Sequence, residues 1–221
     1  MEQLETEQVV RSMNKAVDTV IENEQYFCQL DSAAGDGDMG SSLAKGFRGL
    51  RTGWDALRKN DIGVFMIDCS KVILQNGGGA SGPICGTAFR QAGRYAKGKE
   101  QMSLRELSEF FQAMVEGIQA VGGAKLGDKT LLDALIPAAE SLKASASEGE
   151  HLPDALKRCV EAAEKGAEST KEITATKGRA SYLGNRSIGL CDAGAKAVSV
   201  ILKEILRQFE WAAGKKGGER G

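Results

Sequence analysis

Three carboxylates fall within eight residues in the run Leu30-Asp31-Ser32-Ala33-Ala34-Gly35-Asp36-Gly37-Asp38-Met39-Gly40. The glycines between them let the chain fold tightly back on itself. Asp31, Asp36 and Asp38 placed this way repel one another unless they are splayed into water or neutralised by a hard cation. Mg2+ takes carboxylates together with phosphate oxygens in this manner. A metal centre is one expectation for the run; a solvated acidic turn that also caps the next helix is the other. The spacing of Gly35, Gly37 and Gly40 also fits G-x-G-x-x-G, with Asp55 where a ribose ligand would stand. That reading fails, because two of the variable positions are Asp and the preceding Asn23 to Leu30 is too polar for a buried strand. An EF-hand fails too, since Phe47 and not a bidentate Glu is twelfth counting from Asp36.

Three further glycine blocks follow. Gly77 to Gly82 leads into Pro83, a first-turn proline, so free N–H groups at a helix N-terminus offer a phosphate seat. It is no Walker loop, because Pro83 stands where the lysine should be. Gly122-Gly123-Ala124-Lys125-Leu126-Gly127-Asp128-Lys129-Thr130 approaches Walker A but carries Asp128 before Lys129-Thr130 and follows no strand. Lys125 and Lys129 are each either phosphate contacts or solvated loop residues. The last block, Lys177 to Ser187, brings Arg179 and Arg186 into a glycine-rich turn, and arginine forks suit phosphates. Converging at one end of a helical domain, the four blocks would make a Mg-nucleotide pocket.

Other chemistries are poorly served. The single histidine, His151, sits in a polar stretch and reads as a surface residue, which removes most zinc sites and every Ser-His-Asp or Cys-His mechanism. The five cysteines are odd in number and scattered without a Cys-x-x-Cys pair, as expected of free thiols in a reduced compartment. With 29 Lys+Arg against 30 Asp+Glu there is no bulk field to hold nucleic acid or an anionic membrane. The apolar runs are short and the first residues acidic, so a cytoplasmic location is expected, with no nucleic-acid or membrane partner.

The elements that must position these loops are helical. Glycine is abundant, at 28 residues, and proline scarce, at 3, which fits helices joined by glycine-built loops. Apolar stripes at helical spacing predict helices over Glu5 to Phe27, Ser41 to Lys59, and from the N-cap Asp61 through Ile73, although the Val-Phe-Met-Ile run there also suits a strand. Further helices are expected over Ile84 to Tyr95, from the Ser103/Glu106 capping box through Ile118, from the N-cap Asp128 to Ala144, over Leu152 to Glu172, and over Asp192 to Phe209. The total is eight. No internal linker or repeat appears, so one all-α domain over residues 1–212 with a flexible tail at 213–221 is the economical organisation.

Four ordered motifs carry a family resemblance. They are Leu30-Asp31 to Gly40; Gly79-Ala80-Ser81-Gly82-Pro83 with Gly86-Thr87-Ala88-Phe89; Gly127-Asp128-Lys129-Thr130 with Asp133-Ala134-Leu135; and Gly178 to Gly184 with Arg186-Ser187-Ile188-Gly189. Over about residues 5–210 the chain resembles the nucleotide-binding L subunit of dihydroxyacetone kinase. The resemblance implies a single-domain barrel of eight antiparallel amphipathic helices with an ADP/ATP site at one end. It implies two Mg2+ ions on Asp31, Asp36 and Asp38. It also implies phosphate contacts from Ser41, Ser42, Ala80 and Ser81, cofactor binding at Met39 and Gly40 beside them, and a nucleotide frame of Gly122, Leu131, Arg179, Asp192, Ala193 and Gly194. Asp31, Asp36, Asp38 and Arg179 would be the catalytic groups.

The implied activity is phosphoryl transfer to dihydroxyacetone or a related small ketose held on a separate K-type subunit, with a phospho-histidine phosphotransferase subunit as a second partner and a homodimer as a further assembly. The chain departs from the family pattern twice. Met39 replaces a histidine, and Ala193 replaces a proline. Met39 opens the alternative that the chain is an ADP-binding homologue with reduced catalysis, acting as a regulatory or interaction module.

Overall fold

The computed structural model describes residues 3–218, with side chains through residue 209. Helix α1 (Thr6–Glu22) opens with a reciprocal box between Glu5 and Gln8 and buries Met13, Ala16, Val17 and Val20 along one stripe. It stops at Asn23, whose side-chain amide donates to the Thr19 carbonyl at 2.8 Å and whose backbone leaves helical geometry. Local competition of this kind is why Asn ends helices. The single helix expected over Glu5 to Phe27 is therefore two. α2 (Glu24–Ser32) restarts at once and runs further than expected, so that Asp31 sits on its last turn and not in a loop.

α3 (Met39–Thr52) ends at Gly53, short of the expected Lys59, and a 3₁₀ turn at Trp54–Ala56 follows. The ambiguous apolar run is helical: α4 (Ile62–Asn76) is capped by Asp61, which accepts from the Val64 N–H at 2.7 Å. α5 (Ser81–Tyr95) carries Pro83 in its first turn. Two short antiparallel strands, β1 (Leu4–Glu5) and β2 (Gln101–Met102), tie the start of the chain to the connection before α6 (Leu104–Gly122). The Ser103/Glu106 capping box is present, and Gly123 closes α6 with φ 59, a left-handed C-cap that glycine alone adopts freely.

α7 (Leu132–Glu148) starts four residues later than its expected N-cap Asp128 and contains Pro137. Proline offers no N–H to the carbonyl of Asp133. α8 (Leu152–Ser169) uses the freed space: a side chain at its Gly166 would stand 2.1 Å from that oxygen, so the two helices meet backbone to backbone. A 3₁₀ turn (Thr170–Glu172), a connecting stretch and a second 3₁₀ segment (Arg179–Ser187) lead to α9 (Ala193–Gly218). The backbone of α9 continues past the expected end at Phe209; the tail expected at 213–221 falls on side chains, and at its last residues on backbone, outside the described residues.

Neighbours around the fold follow chain order. α3 touches α4, α4 touches α5, and so on to α9, which returns to touch α1, while α1 touches α3. The contacts close a ring, with α2 laid against α3 and α9. The ring surrounds an apolar core that holds a cavity of about 170 Å³, lined by residues including Met13, Phe47, Phe89, Phe110, Leu135 and Ile201. The five cysteines are unpaired, and Cys69 and Cys159 are buried in this core. Among the described residues no helix is long and apolar enough to cross a membrane.

Candidate nucleotide and metal site

The acidic cluster is assembled by the junction of α2 and α3. Asp31 projects from the end of α2, Asp38 is the N-cap residue of α3, and Asp36 lies on the turn between them. Oxygens of the three carboxylates all lie within 4.8 Å of one another. At that separation each pair repels by on the order of 1–3 kcal/mol, between the dielectric of water and that of a protein surface. Two features leave the cluster open to a metal ion. Asp38 makes no side-chain cap bond to α3, and it is Asp31 Oδ2 that accepts from the Met39 N–H at 3.2 Å, so Asp38 keeps its carboxylate free. A side chain at Gly35 would stand 2.6 Å from Asp31 Oδ1, so the glycine clears the space beside that carboxylate. An all-oxygen, half-open donor set of this kind fits Mg2+ that keeps water or phosphate as its remaining ligands.

The helices are held in register around this cluster. Gly40, in the first turn of α3, is buried against α2: a side chain there would come within 2.2 Å of the Glu24 carbonyl and 2.7 Å of the Cys28 nitrogen. Ion pairs Arg48–Glu24 and Arg51–Asp18 fasten α3 to α2 and α1. The second glycine block lies directly on the first turn of α3, where the Gly78 N–H donates to the Ser42 carbonyl at 3.1 Å and Gly79 takes φ 50 beside the Ser42 hydroxyl. The loop that leads into α5 and its Ser81 is thus laid against the first turn of α3, which carries Ser41 and Ser42. Each of the two helix N-termini presents orphan N–H groups and the positive end of its dipole.

The third and fourth blocks interlock on the other side. Asp133, buried on the first turn of α7, accepts from the Gly127 N–H at 2.6 Å and from the Thr130 N–H at 2.7 Å. Asp128 accepts from the Lys125 N–H at 2.9 Å and from the Thr176 hydroxyl at 2.6 Å. The Thr176 bond holds the Asp128 carboxyl below the usual carboxylate range. Asp128 therefore caps a loop and not a helix. The reason is tertiary, a partner 48 residues away that outbids the helix start. Lys129, expected either at a phosphate or in water, does neither: its ammonium is buried and bonds to the carbonyls of Thr170, Ile173 and Ser187. Lys125 is exposed, and so is His151, as expected.

At the start of α9, Asp192 Oδ2 accepts from the Ala195 N–H at 2.7 Å, and a side chain at Gly194 would meet Leu131 at 3.3 Å. Asp192, Ala193 and Gly194 thus adjoin Leu131, while Gly122 faces open space at the end of α6. The Asp192 residue keeps partial exposure, but its carboxyl faces inward, and burial there pushes it up to about 7, reinforced by Asp133 and Asp31 and opposed by the Ala195 N–H and Lys129. Arg179 closes the circle. Exposed on the fourth block, it reaches across to Asp36 with Nη2 to Oδ2 at 2.9 Å. All four glycine blocks are therefore linked in series, the first to the second through Ser42, the third to the fourth through Thr176 and Ser187, and the fourth to the first through Arg179 on Asp36. Sequence reasoning missed Asp133, Thr170 and Thr176 as the fasteners of this end, and only Asp133 stood inside a quoted motif.

Residues 33–207 match the DAK2 domain family. This chain belongs to that family. The DAK2 chain is 35% identical over 198 residues to the ADP-binding subunit of the PEP-dependent dihydroxyacetone kinase of Escherichia coli, covering 90% of its own length and 94% of that protein. A counterpart from Listeria innocua, the ADP-binding subunit of a PEP-dependent dihydroxyacetone kinase 1, is 34% identical over the same span. Among solved structures, the native dihydroxyacetone kinase of C. freundii matches with a TM-score of 0.72 at 25% identity, covering 90% of the DAK2 chain. The same enzyme in complex with AMP-PNP and Mg2+ matches with a TM-score of 0.69 at 26% identity. The DAK2 chain spans about a third of that longer kinase chain, 34% and 35% in the two structures.

Proposed function

We propose that this DAK2 chain is the ADP/ATP-binding subunit of a dihydroxyacetone, or related small ketose, kinase. It would work with a K-type subunit that holds the ketose. The single observation that carries the reading is the gathering of Asp31, Asp36 and Asp38 within 4.8 Å of one another, with Arg179 of the last glycine-rich loop reaching onto Asp36. The relatives named above support it.

Each group has a role that its position suits. Asp31, Asp36 and Asp38 would hold Mg2+, two ions on the family pattern, which when bound would supply charge neutralisation for phosphate oxygens. Backbone N–H groups at Gly40, Ala80 and Ser81, with the hydroxyls of Ser41, Ser42 and Ser81, seat the phosphates at the two helix N-termini. Gly122 and Leu131 with Asp192, Ala193 and Gly194 frame the nucleoside. Arg179 supplies positive charge to the phosphates of the nucleotide; its bond to Asp36 keeps it at the mouth of the site. Positioning and charge stabilisation are what such a reaction asks of the protein.

Recharging of the nucleotide would come from a phospho-histidine phosphotransferase subunit, or free ATP would exchange. The test is mass analysis of nucleotide released from the purified chain, with and without prior chelation, followed by turnover with a K-type partner and dihydroxyacetone. Stoichiometric ADP that leaves on chelation, together with turnover, supports the reading. A chain that binds neither ADP nor ATP in the presence of Mg2+ refutes it. Met39 favours one second reading, a binding module of reduced activity, because its thioether packs towards the core and offers no donor. Nucleotide binding without turnover would decide for that module.

A further inference from the structure

Lys129 is 2% exposed, and its three ammonium protons are matched by three carbonyls: Thr170 at 2.7 Å, Ile173 at 3.1 Å and Ser187 at 2.6 Å. A lysine can donate no more bonds than that. Two of the acceptors lie just beyond α8, where orphan carbonyls and the negative end of the helix dipole favour a cation. The backbone at Lys129 is left-handed, with φ 62, the sole non-glycine in that state among the described residues. A side chain kept at such a position is held there by its surroundings.

The third acceptor gives the arrangement its point. Ser187 is the far foot of the loop that carries Arg179, and Thr176 is its near foot. Asp128 holds Thr176 through both its carboxylate (2.6 Å) and its carbonyl (3.2 Å), while Lys129 holds Ser187. The Ala175 N–H donates to the Ser187 hydroxyl at 2.9 Å and draws the feet together. Consecutive residues thus pin both ends of a compact loop whose remote contact is Arg179 on Asp36.

We propose that Lys129 is a positioning residue for Arg179, its buried ammonium fixing the feet of the 176–187 loop and through them the place of the guanidinium over the acidic cluster. The proposal rests on the reading of this end as a Mg-nucleotide site. It gives the lysine no contact with phosphate.

The test is a double-mutant cycle in the full chain. Mg-ADP affinity is measured by calorimetry, well below the melting temperature, for Lys129→Met, Arg179→Ala and their combination, with Lys129→Arg as the conservative variant. Lys129→Met is expected to weaken binding by about 10–100-fold, as loss of a supporting contact does. The combination should be no weaker than about the worse single variant, because a displaced Arg179 has little left to lose. Lys129→Arg should restore part of the affinity. Wild-type affinity in Lys129→Met, or losses that multiply in the combination, overturns the proposal. If Lys129→Met does not fold, Thr176→Val, which frees the other foot, carries the same cycle. Hydrogen exchange of residues 174–190 in the ligand-free chain is read alongside. Should the wild type bind no Mg-ADP, the functional reading fails, and the exchange data then decide on Lys129 alone: faster exchange in Lys129→Met supports the pinning, and unchanged exchange overturns it.

Discussion

Gly40→Ala separates the geometry of the acidic cluster from its chemistry, because it leaves all three carboxylates in place. A methyl group at Gly40 would stand 2.2 Å from the Glu24 carbonyl oxygen, 2.7 Å from the Cys28 nitrogen and 2.8 Å from its sulfur. A carbon-to-oxygen contact of about 3.3 Å is needed, so α2 must retreat from α3 by roughly 1 Å. Overpacking of this size costs about 1–3 kcal/mol, and for a chain of this length each kcal/mol lowers Tm by roughly 2–4 °C. Asp31 rides on α2 and Asp38 on α3, so the retreat changes the span between them, whereas metal sites tolerate only about 0.2 Å in ligand distance.

We therefore expect Gly40→Ala to fold with native helicity, melt several degrees lower, and bind Mg-ADP about 10–100-fold more weakly by calorimetry. Gly53→Ala, at the other end of α3, meets only the Gly49 carbonyl at an ordinary 3.4 Å and serves as the control. Wild-type affinity in Gly40→Ala refutes the claim that this close approach sets the cluster. So does an equal loss in Gly53→Ala.

Asp36→Ala or Asp38→Ala should abolish Mg-dependent nucleotide binding and leave the circular dichroism spectrum intact, since each removes a turn or cap side chain and no core packing; retained binding would sink the metal assignment. Met39→His should change Tm little and raise turnover with a K-type partner, and equal rates would show the replacement to be neutral. Asp192 gives a pH signature. Its carboxyl, about 7 folded against 3.8 unfolded, holds its proton longer in the native state, so the stability it contributes is full below about pH 4 and lost as pH rises to about 7. Asp192→Asn keeps an acceptor for the Ala195 N–H and should remove a loss on the order of 2–4 kcal/mol between pH 5 and 8. Parallel Tm curves for the two proteins would show that no such buried proton exists.

The parts of this fold that were legible in the sequence are those whose causes are local. The stripes of α1 and α6, the Asp61 cap and the Ser103/Glu106 box act within one or two turns, and each stands where expected. The strand-like run in α4 resolved to helix because Asp61 caps it and Ile62, Phe65, Met66, Cys69 and Ile73 then share the buried face. The acidic cluster was visible because a tight glycine turn leaves its carboxylates few places to go. What escaped depends on partners far along the chain. Asp128 reads as the N-cap of α7, but its carboxylate is taken by Thr176, 48 residues away, and Leu131 stands at the cap instead. Lys129 reads as a loop lysine because its partners are backbone carbonyls, which leave no trace in side-chain pattern. The break at Asn23 was a single-residue decision inside an apolar stripe that continues to Phe27.

The return of α9 to α1 has a consequence for how the molecule is made. Its seam joins the earliest helix to the last, so a chain emerging from the ribosome can stack α3 through α8 in order but cannot shut the ring until α9 has been released. Until then the walls of the apolar cavity stand open, and the Asp192 corner does not yet exist. Such a nascent chain is a ready client for chaperones and a hazard for aggregation. Closing the seam brings together helices at the two ends of the described chain, so it carries the loop-closure cost of nearly the whole sequence.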